Sequence, residues 1–295
     1  MAFMPVIISG GAGSRLWPLS RDACPKPFVE MPDGGTLIGR AYSRAARLEG
    51  VGRIVTVTRR DLLVLTSDAY RAATPPAVAS TFLLEPVGRD TAAAVALAAL
   101  YAAGAGGGET VLLVSPADHL IRDEDAFAGA VRRAVELARH KRIVTFGIAP
   151  DRPENGFDYI EVEGETARRF VEKPDAATAA AYVAGGRHRW NSGMFCFRAD
   201  AMLRAMEAHC PAVLAGAREG LAAAAARTFR RHEIVEVAPE PMRRTPAISI
   251  DRAVMEKAGD VACVSVDCGW SDLGSWPALF DLVAPDETGN RTTGD

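Results

Sequence analysis

The sequence predicts an α/β protein built on one central sheet, mixed but mainly parallel, with helices on both faces. Three observations predict it. Short β-branched apolar runs alternate with helix-like stretches as far as Pro150. The early runs, Val6-Ile7-Ile8, Ile54-Val55-Thr56-Val57 and Thr110-Val111-Leu112-Leu113-Val114, are nearly unbroken in apolar character, as in strands buried on both faces. A glycine cluster, Gly10-Gly11-Ala12-Gly13, follows the first run directly, at the strand end where an open parallel sheet forms its ligand crevice.

Taken in order, the expected strands are Pro5–Ser9, Arg53–Thr58, Thr81–Glu85, Thr110–Ser115 and Arg142–Gly147. Between them, helices are expected over Thr36–Glu49, Arg60–Ala73, Asp90–Ala103 and Glu124–His140. Beyond Pro150 the pattern changes. Phe157–Glu163 and Arg168–Lys173 flank Gly164 like the arms of a hairpin. Ser192–Arg198 and Val261–Val266 are further strands, so a mixed extension of the sheet is expected to cover the mouth of the site. The alanine run Ala222–Ala226 reads as part of a helix. The polar segment 286–295 reads as the start of a further element, leaving 1–285 as one domain.

Composition narrows the function classes. With 295 residues, 48% hydrophobic and 24% charged, the chain can bury one large α/β core. A net charge of −3 offers no basic field for nucleic acid. No apolar stretch approaches the ~20 residues that span a bilayer, so no membrane partner is expected. Met1-Ala2-Phe3-Met4-Pro5 lacks the charged start of a signal peptide, which points to the cytoplasm. The five cysteines, Cys24, Cys196, Cys210, Cys263 and Cys268, are scattered without C-x-x-C and read as free thiols. Only four of the 34 basic residues are lysine. In so arginine-rich a chain, a remaining lysine is a candidate for a role needing a compact ammonium, and Lys26 and Lys173 fall inside the motifs below.

The segment Ser9-Gly10-Gly11-Ala12-Gly13-Ser14-Arg15 reads as a phosphate cradle. Its glycines let backbone N–H groups turn toward an anion, and Arg15 adds a charged fork. Cys24-Pro25-Lys26-Pro27 would present Lys26 to the same phosphates on a stiffened segment. A glycine-rich turn with no ligand is the plainer reading, but three glycines followed by Arg and Lys disfavour it. The G-x-x-x-x-G-K-[ST] pattern is absent. The dinucleotide pattern also fails, with Leu16 where its third glycine belongs and Arg59-Arg60 where its acid belongs.

Gly10-Gly11-x-Gly13-Ser14-Arg15-Leu16-Trp17-Pro18-Leu19-Ser20 followed by Pro25-Lys26 resembles the sugar-1-phosphate nucleotidyltransferases. Trp17 and Ser20-Arg21 bring it nearest to the mannose-1-phosphate guanylyltransferases among them. The likeness continues in order through Glu85-Pro86-x-Gly88-Arg89-Asp90-Thr91, Pro116-Ala117-Asp118-His119, Phe170-Val171-Glu172-Lys173-Pro174, Trp190-Asn191-Ser192-Gly193 and Trp270-Ser271-Asp272-Leu273-Gly274. It implies a Rossmann-like, GT-A-like nucleotidyltransferase fold. The implied reaction is transfer of GMP from GTP to mannose-1-phosphate, with Arg15, Lys26 and Asp118 catalytic. Ser9, Gly10, Gly11, Gly13, Ser14, Arg15, Lys26, Glu85, Gly88, Asp90 and Thr91 are the expected nucleotide site. Gly156, Asp158, Glu172, Lys173 and Asn191 are the expected sugar site. Mg²⁺ is expected on Asp118 and Asp272, and a homodimer is the candidate assembly.

Each residue also has a plainer role. Asp272 would serve as a helix N-cap, Asp90 or Thr91 as the cap of the helix they open, Glu172 and Lys173 as surface ions, Asn191 as a turn former and His119 as a turn cap, the role favoured for it. The chain also departs from the family pattern. Asp90 stands for a usual Asn, Ala93 for Pro and Pro27 for Gln. Asp158 stands where a glycine would let backbone approach the sugar. These positions leave two alternatives open: another nucleotide–sugar pair, or a weakly catalytic sugar-nucleotide-binding regulator.

Overall fold

In a computed structural model, residues 2–11, 13–73, 78–283 and 285–291 are described. Ala12 and the last four residues of the segment 286–295 lie outside them, as does the side chain of Ser14. In the first half the strands are β1 (Phe3–Ser9), β2 (Arg53–Arg59), β3 (Ala79–Glu85), β4 (Val111–Pro116) and β5 (Ile143–Ile148). The helices between them are α1 (Leu37–Ala46), α2 (Leu63–Ala72), α3 (Asp90–Gly106) and α4 (Glu124–Arg139). Their starts follow local chemistry. The Thr36 hydroxyl accepts the Gly39 N–H at the head of α1, and the Asp123 carboxylate accepts that of Ala126 at the head of α4.

The second half adds β6 (Tyr159–Glu163), β7 (Thr166–Val171), α5 (Ala176–Gly185), β8 (His188–Arg198), α6 (Ala199–His209) and α7 (Pro211–Ala222). It continues with β9 (Ala225–Phe229), β10 (His232–Glu236), α8 (Pro239–Arg244), β11 (Val261–Val266) and α9 (Trp276–Phe280). The hairpin forms as expected, with Gly164 at φ 58° in its turn. The alanine run does not behave as expected. α7 ends at Ala222, and Ala225 and Ala226 enter β9, paired antiparallel with β10. Pairing along an open sheet edge outweighs alanine's helix preference there.

One sheet carries all eleven strands. β10, β3, β2, β1 and β4 lie side by side in parallel, and the antiparallel pairs gather around β6, β7 and β8. The strand alternation assigns residues to opposite faces. Val6 packs into the layer holding α3, α6 and α7, whereas Ile7 packs into the layer holding α1 and α2. The strand β8 splits the sheet. One side of it runs along β5. The other pairs residues 195–198 with β4 and residues 188–190 with β6. Residues 191–194 lie between those two pairings, at the C-terminal ends of β1 and β4, and the sheet opens there.

Candidate active site

A cavity of about 390 Å³ occupies this opening, a size suited to a small-molecule ligand. Ser9, Gly10 and Gly11 form one wall at the end of β1, with no neighbour within 4 Å of a Cβ added at either glycine. Gly13 differs. At φ +63° its ideal Cβ would stand 2.4 Å from Cβ of Lys26, so a glycine is required for the loop to lie against that lysine. The Ser20 hydroxyl donates to the Gly13 carbonyl and fixes the turn.

Lys26, which like Gly13 and Arg15 does not itself line the cavity, ties the acidic side of it together from behind. It is 4% exposed, and its Nζ donates to Asp118 Oδ2 at 2.8 Å and to the backbone carbonyl of Asp272. One ammonium thus brings together two segments 154 residues apart in sequence, subtracting 118 from 272. Asp118 follows β4 directly and His119 stands beside it, with Nε2 3.9 Å from Asp118 Oδ1. The Trp270 indole N–H donates to His119 Nδ1 at 3.2 Å, which places the neutral ring's proton on Nε2, facing the carboxylate. The His119 ring thus lines the cavity and bonds Trp270 instead of forming the turn cap expected of it. Burial holds its pKa below the usual value. Burial also opposes the charge on Asp118, but the neighbouring His119 and the Lys26 ammonium more than offset it, and the carboxyl sits below its ordinary 3.8.

Asp272 lines the same cavity. Its Oδ1 accepts the Gly274 N–H at 2.9 Å, and its Oδ2 lies 3.9 Å from Arg15, whose side chain is 72% exposed. A Cβ at Gly274 would fall 2.3 Å from that Oδ2, so the turn is shaped around the carboxylate. Asp272 is not the cap of α9. Ser275 takes that part, accepting the Ala278 N–H. Two carboxylates in one cavity, with room beside them, fit a Mg²⁺ that keeps several ligands from water and phosphate. Among the described residues no group of three or more His, Cys, Asp or Glu forms a cage, so any such ion would be held by few protein ligands.

On the opposite wall stand Gly156, Asp158, Lys173 and Asn191. Asp158 Oδ1 accepts the Lys173 N–H at 3.2 Å, and Asp158 O accepts that of Asn191 at 2.8 Å. Burial, with Glu172 adding to it, raises the Asp158 carboxyl above its usual range. Glu172 itself does not line the cavity. It is exposed and paired with the Arg252 guanidinium. On the base side, Thr91 reaches the cavity, whereas Glu85, Gly88 and Asp90 do not line it. Thr91 is not a helix cap, because its hydroxyl accepts the Ile250 N–H at 2.8 Å. Asp90 opens α3 at φ 62°, and its carboxylate accepts the next N–H. Glu85 ends β3, two strands from β1 and so about 10 Å across the sheet from the glycine loop. It is buried, Oε1 has no hydrogen-bond partner, and burial pushes the carboxyl up to about 7.

A nucleotidyl transferase family model matches residues 4–289. The chain belongs to that family. The chain is 40% identical over 296 residues to the xanthan biosynthesis protein XanB of Xanthomonas campestris. It is 38% identical over 303 residues to the mannose-1-phosphate guanylyltransferase of Escherichia coli K12. Each alignment covers 99% of this chain but only 62% of the relative's length. A solved structure from Thermus thermophilus, described as a mannose-1-phosphate geranyltransferase, superposes with a TM-score of 0.81 at 35% identity. That match covers 97% of this chain and 80% of the other.

Two features of the cavity are not legible in the sequence. One is the edge-to-face series His119–Trp270–Phe157–Trp190, with ring centroids 5.3, 5.5 and 5.2 Å apart. It braces the segment that carries Gly156 and Asp158. The other is Asp251, a half-buried acid on the cavity wall. No periodicity or spacing announces either, since both arise from segments far apart in sequence.

Proposed function

We propose that the chain transfers GMP from GTP to mannose-1-phosphate, releasing pyrophosphate and forming GDP-mannose. The observation that carries this reading is the single cavity lined by Gly10, Gly11, Asp118, Asp272 and Asn191, whose two carboxylate segments are joined by the Lys26 ammonium behind it. The names of the relatives supply the sugar and the base. An oxygen of the sugar phosphate forms a bond to the α-phosphorus, and the bond to the β-phosphate oxygen breaks, its electron pair leaving with pyrophosphate. The nucleophile is already anionic, so the protein's work is positioning and charge neutralisation rather than proton removal. Backbone N–H groups of Gly10 and Gly11 would hold phosphate, and the exposed Arg15, beside Asp272 outside the cavity lining, would have to swing onto it. Lys26 keeps Asp118 ionised and fixes its orientation. Glu85 would accept from the donor edge of guanine, and Asn191 with Lys173 would receive the sugar phosphate. Asp118 and Asp272 are the residues that would hold Mg²⁺, which would neutralise phosphate charge when bound. We place the protein in the cytosol, supported by its five unpaired thiols.

The test is a pyrophosphate-release panel crossing five nucleoside triphosphates with mannose-, glucose- and fucose-1-phosphate. GTP with mannose-1-phosphate is expected to give the highest kcat/KM, and Lys26→Ala to lower it by at least about 100-fold. A different preferred pair would assign Asp158 to another sugar or Glu85 to another base. No release from any pair would leave a binding protein in place of an enzyme.

A further inference from the structure

Asp251 opens a π-helical turn, Asp251–Met255, in which the Glu256 N–H donates to the Asp251 carbonyl five residues back at 2.9 Å. Turns of this kind are rare and recur at functional sites. This one is fastened to the head of α3. The Thr91 hydroxyl accepts the Ile250 N–H at 2.8 Å, and the Ala92 N–H donates to the Ile248 carbonyl at 3.2 Å. The turn therefore links the base side of the cavity to its sugar side.

The side chain of Asp251 meets Asn191. Its Oδ1 accepts Asn191 Nδ2 at 2.7 Å. At the other end of that amide, Oδ1 accepts the Gly193 N–H at 3.2 Å and the Thr145 hydroxyl at 3.4 Å. A carboxylate on one side and a backbone donor on the other decide which end of the amide is nitrogen. One Nδ2–H then remains without a protein acceptor among the described residues, in a side chain that lines the cavity. Holding an acid here is unfavourable. Burial, with the charge of Asp158 adding to it, pushes Asp251 up to about 6 despite the bond from Asn191. A neutral acceptor would hold the amide without that cost.

We infer that Asp251 is the positioning residue of the sugar side of the site: it orients the Asn191 carboxamide so that its free N–H meets a hydroxyl of the sugar phosphate. The inference rests on the proposed reading of the cavity as a sugar-1-phosphate site. A carboxylate acceptor polarises the amide and strengthens the remaining N–H donor, and Asp158 beside it supplies an acceptor for the same hydroxyl's proton.

A double-mutant cycle with Asp251→Ala and Asn191→Ala tests it. Steady-state kinetics on wild type, both single variants and the double variant give separate KM values for the sugar phosphate and the triphosphate. Asp251→Ala is expected to raise the KM for mannose-1-phosphate by about 10- to 100-fold with the KM for GTP little changed. In the Asn191→Ala background the same substitution is expected to add less than about threefold, because its effect passes through the amide. Asp251→Asn keeps an acceptor and is expected to recover at least half of the loss on a logarithmic scale. Equal changes in both KM values, or additive losses in the cycle, would show a general structural role and overturn the inference. Calorimetric binding of mannose-1-phosphate and GDP-mannose to the same four proteins separates this from the catalytic reading. If no pair turns over but binding follows the same cycle, catalysis falls and the positioning role stands. If the wild type binds neither compound, the positioning role falls as well.

Discussion

Glu85 shows what a buried carboxyl costs when it stands alone. Its carboxyl is buried at the end of β3, one oxygen has no partner, and its pKa is pushed up to about 7 from 4.5. The folded state therefore holds the proton more tightly than the unfolded chain. The contribution to stability is fully present below about 4.5 and is lost as pH rises through about 7. Glu85→Gln removes the titration. It is expected to match the wild type in urea melts near pH 4.5 and to exceed it by up to about 3 kcal/mol at pH 8. If Glu85 reads the base, the same variant also raises the KM for GTP. A wild type as stable as the variant at pH 8 would show that the carboxylate finds a partner in solution.

The glycine loop is one element with two kinds of glycine. Gly13 sits at φ +63° with Lys26 where its Cβ would go, whereas Gly10 and Gly11 face open space in the cavity. Gly13→Ala is expected to lower unfolding free energy by about 1–3 kcal/mol and to reduce turnover by displacing Lys26. Gly10→Ala and Gly11→Ala are expected to melt with the wild type but to raise the KM for triphosphate, because the methyl enters the ligand's space. Denaturation curves and KM measurements on the three variants would separate the two roles, and unchanged stability in Gly13→Ala would remove the packing argument. The same economy of strain marks the neighbouring loops. Asp90 at the head of α3, and Lys173 and Leu273 on loops, all hold positive φ without being glycine, and Thr91, Lys173 and Asp272 at these points line the cavity.

At the scale of the molecule, the cavity forms where the sheet divides at β8, against the head of the closely packed helix α3. α3 is buried on nearly all sides, packed between the sheet and α6 and α7, and its many alanines let those layers approach closely. Ala98 is fully buried within it. Ala98→Leu is expected to lower unfolding free energy by about 1–3 kcal/mol through overpacking. A urea melt checks this, and a neutral result would mean the helix layers yield. No helix among the described residues is long and apolar enough to cross a membrane.

The local chemistry of the chain determined the alternation of β1 to β5 with α1 to α4 and the glycine loop, while the motif residues Lys26, Asp118, Asn191 and Asp272 were pointed to by the family resemblance. Those signals lie within a few residues of one another, in apolar periodicity, capping side chains and glycine spacing. Tertiary structure decided the rest. β10 was not legible because its partner β3 lies about 150 residues away, and that long-range edge also drew Ala225 and Ala226 out of a helix. Glu172 was read as a sugar ligand, yet Arg252 claims it, a contact no spacing could foretell. Asp251 gained its place for the same reason: a turn pinned to α3 and an amide on β8 meet only when the sheet has folded. Sequence patterning fixes what is near along the chain, whereas burial and pairing between distant segments choose which carboxylates face the ligand.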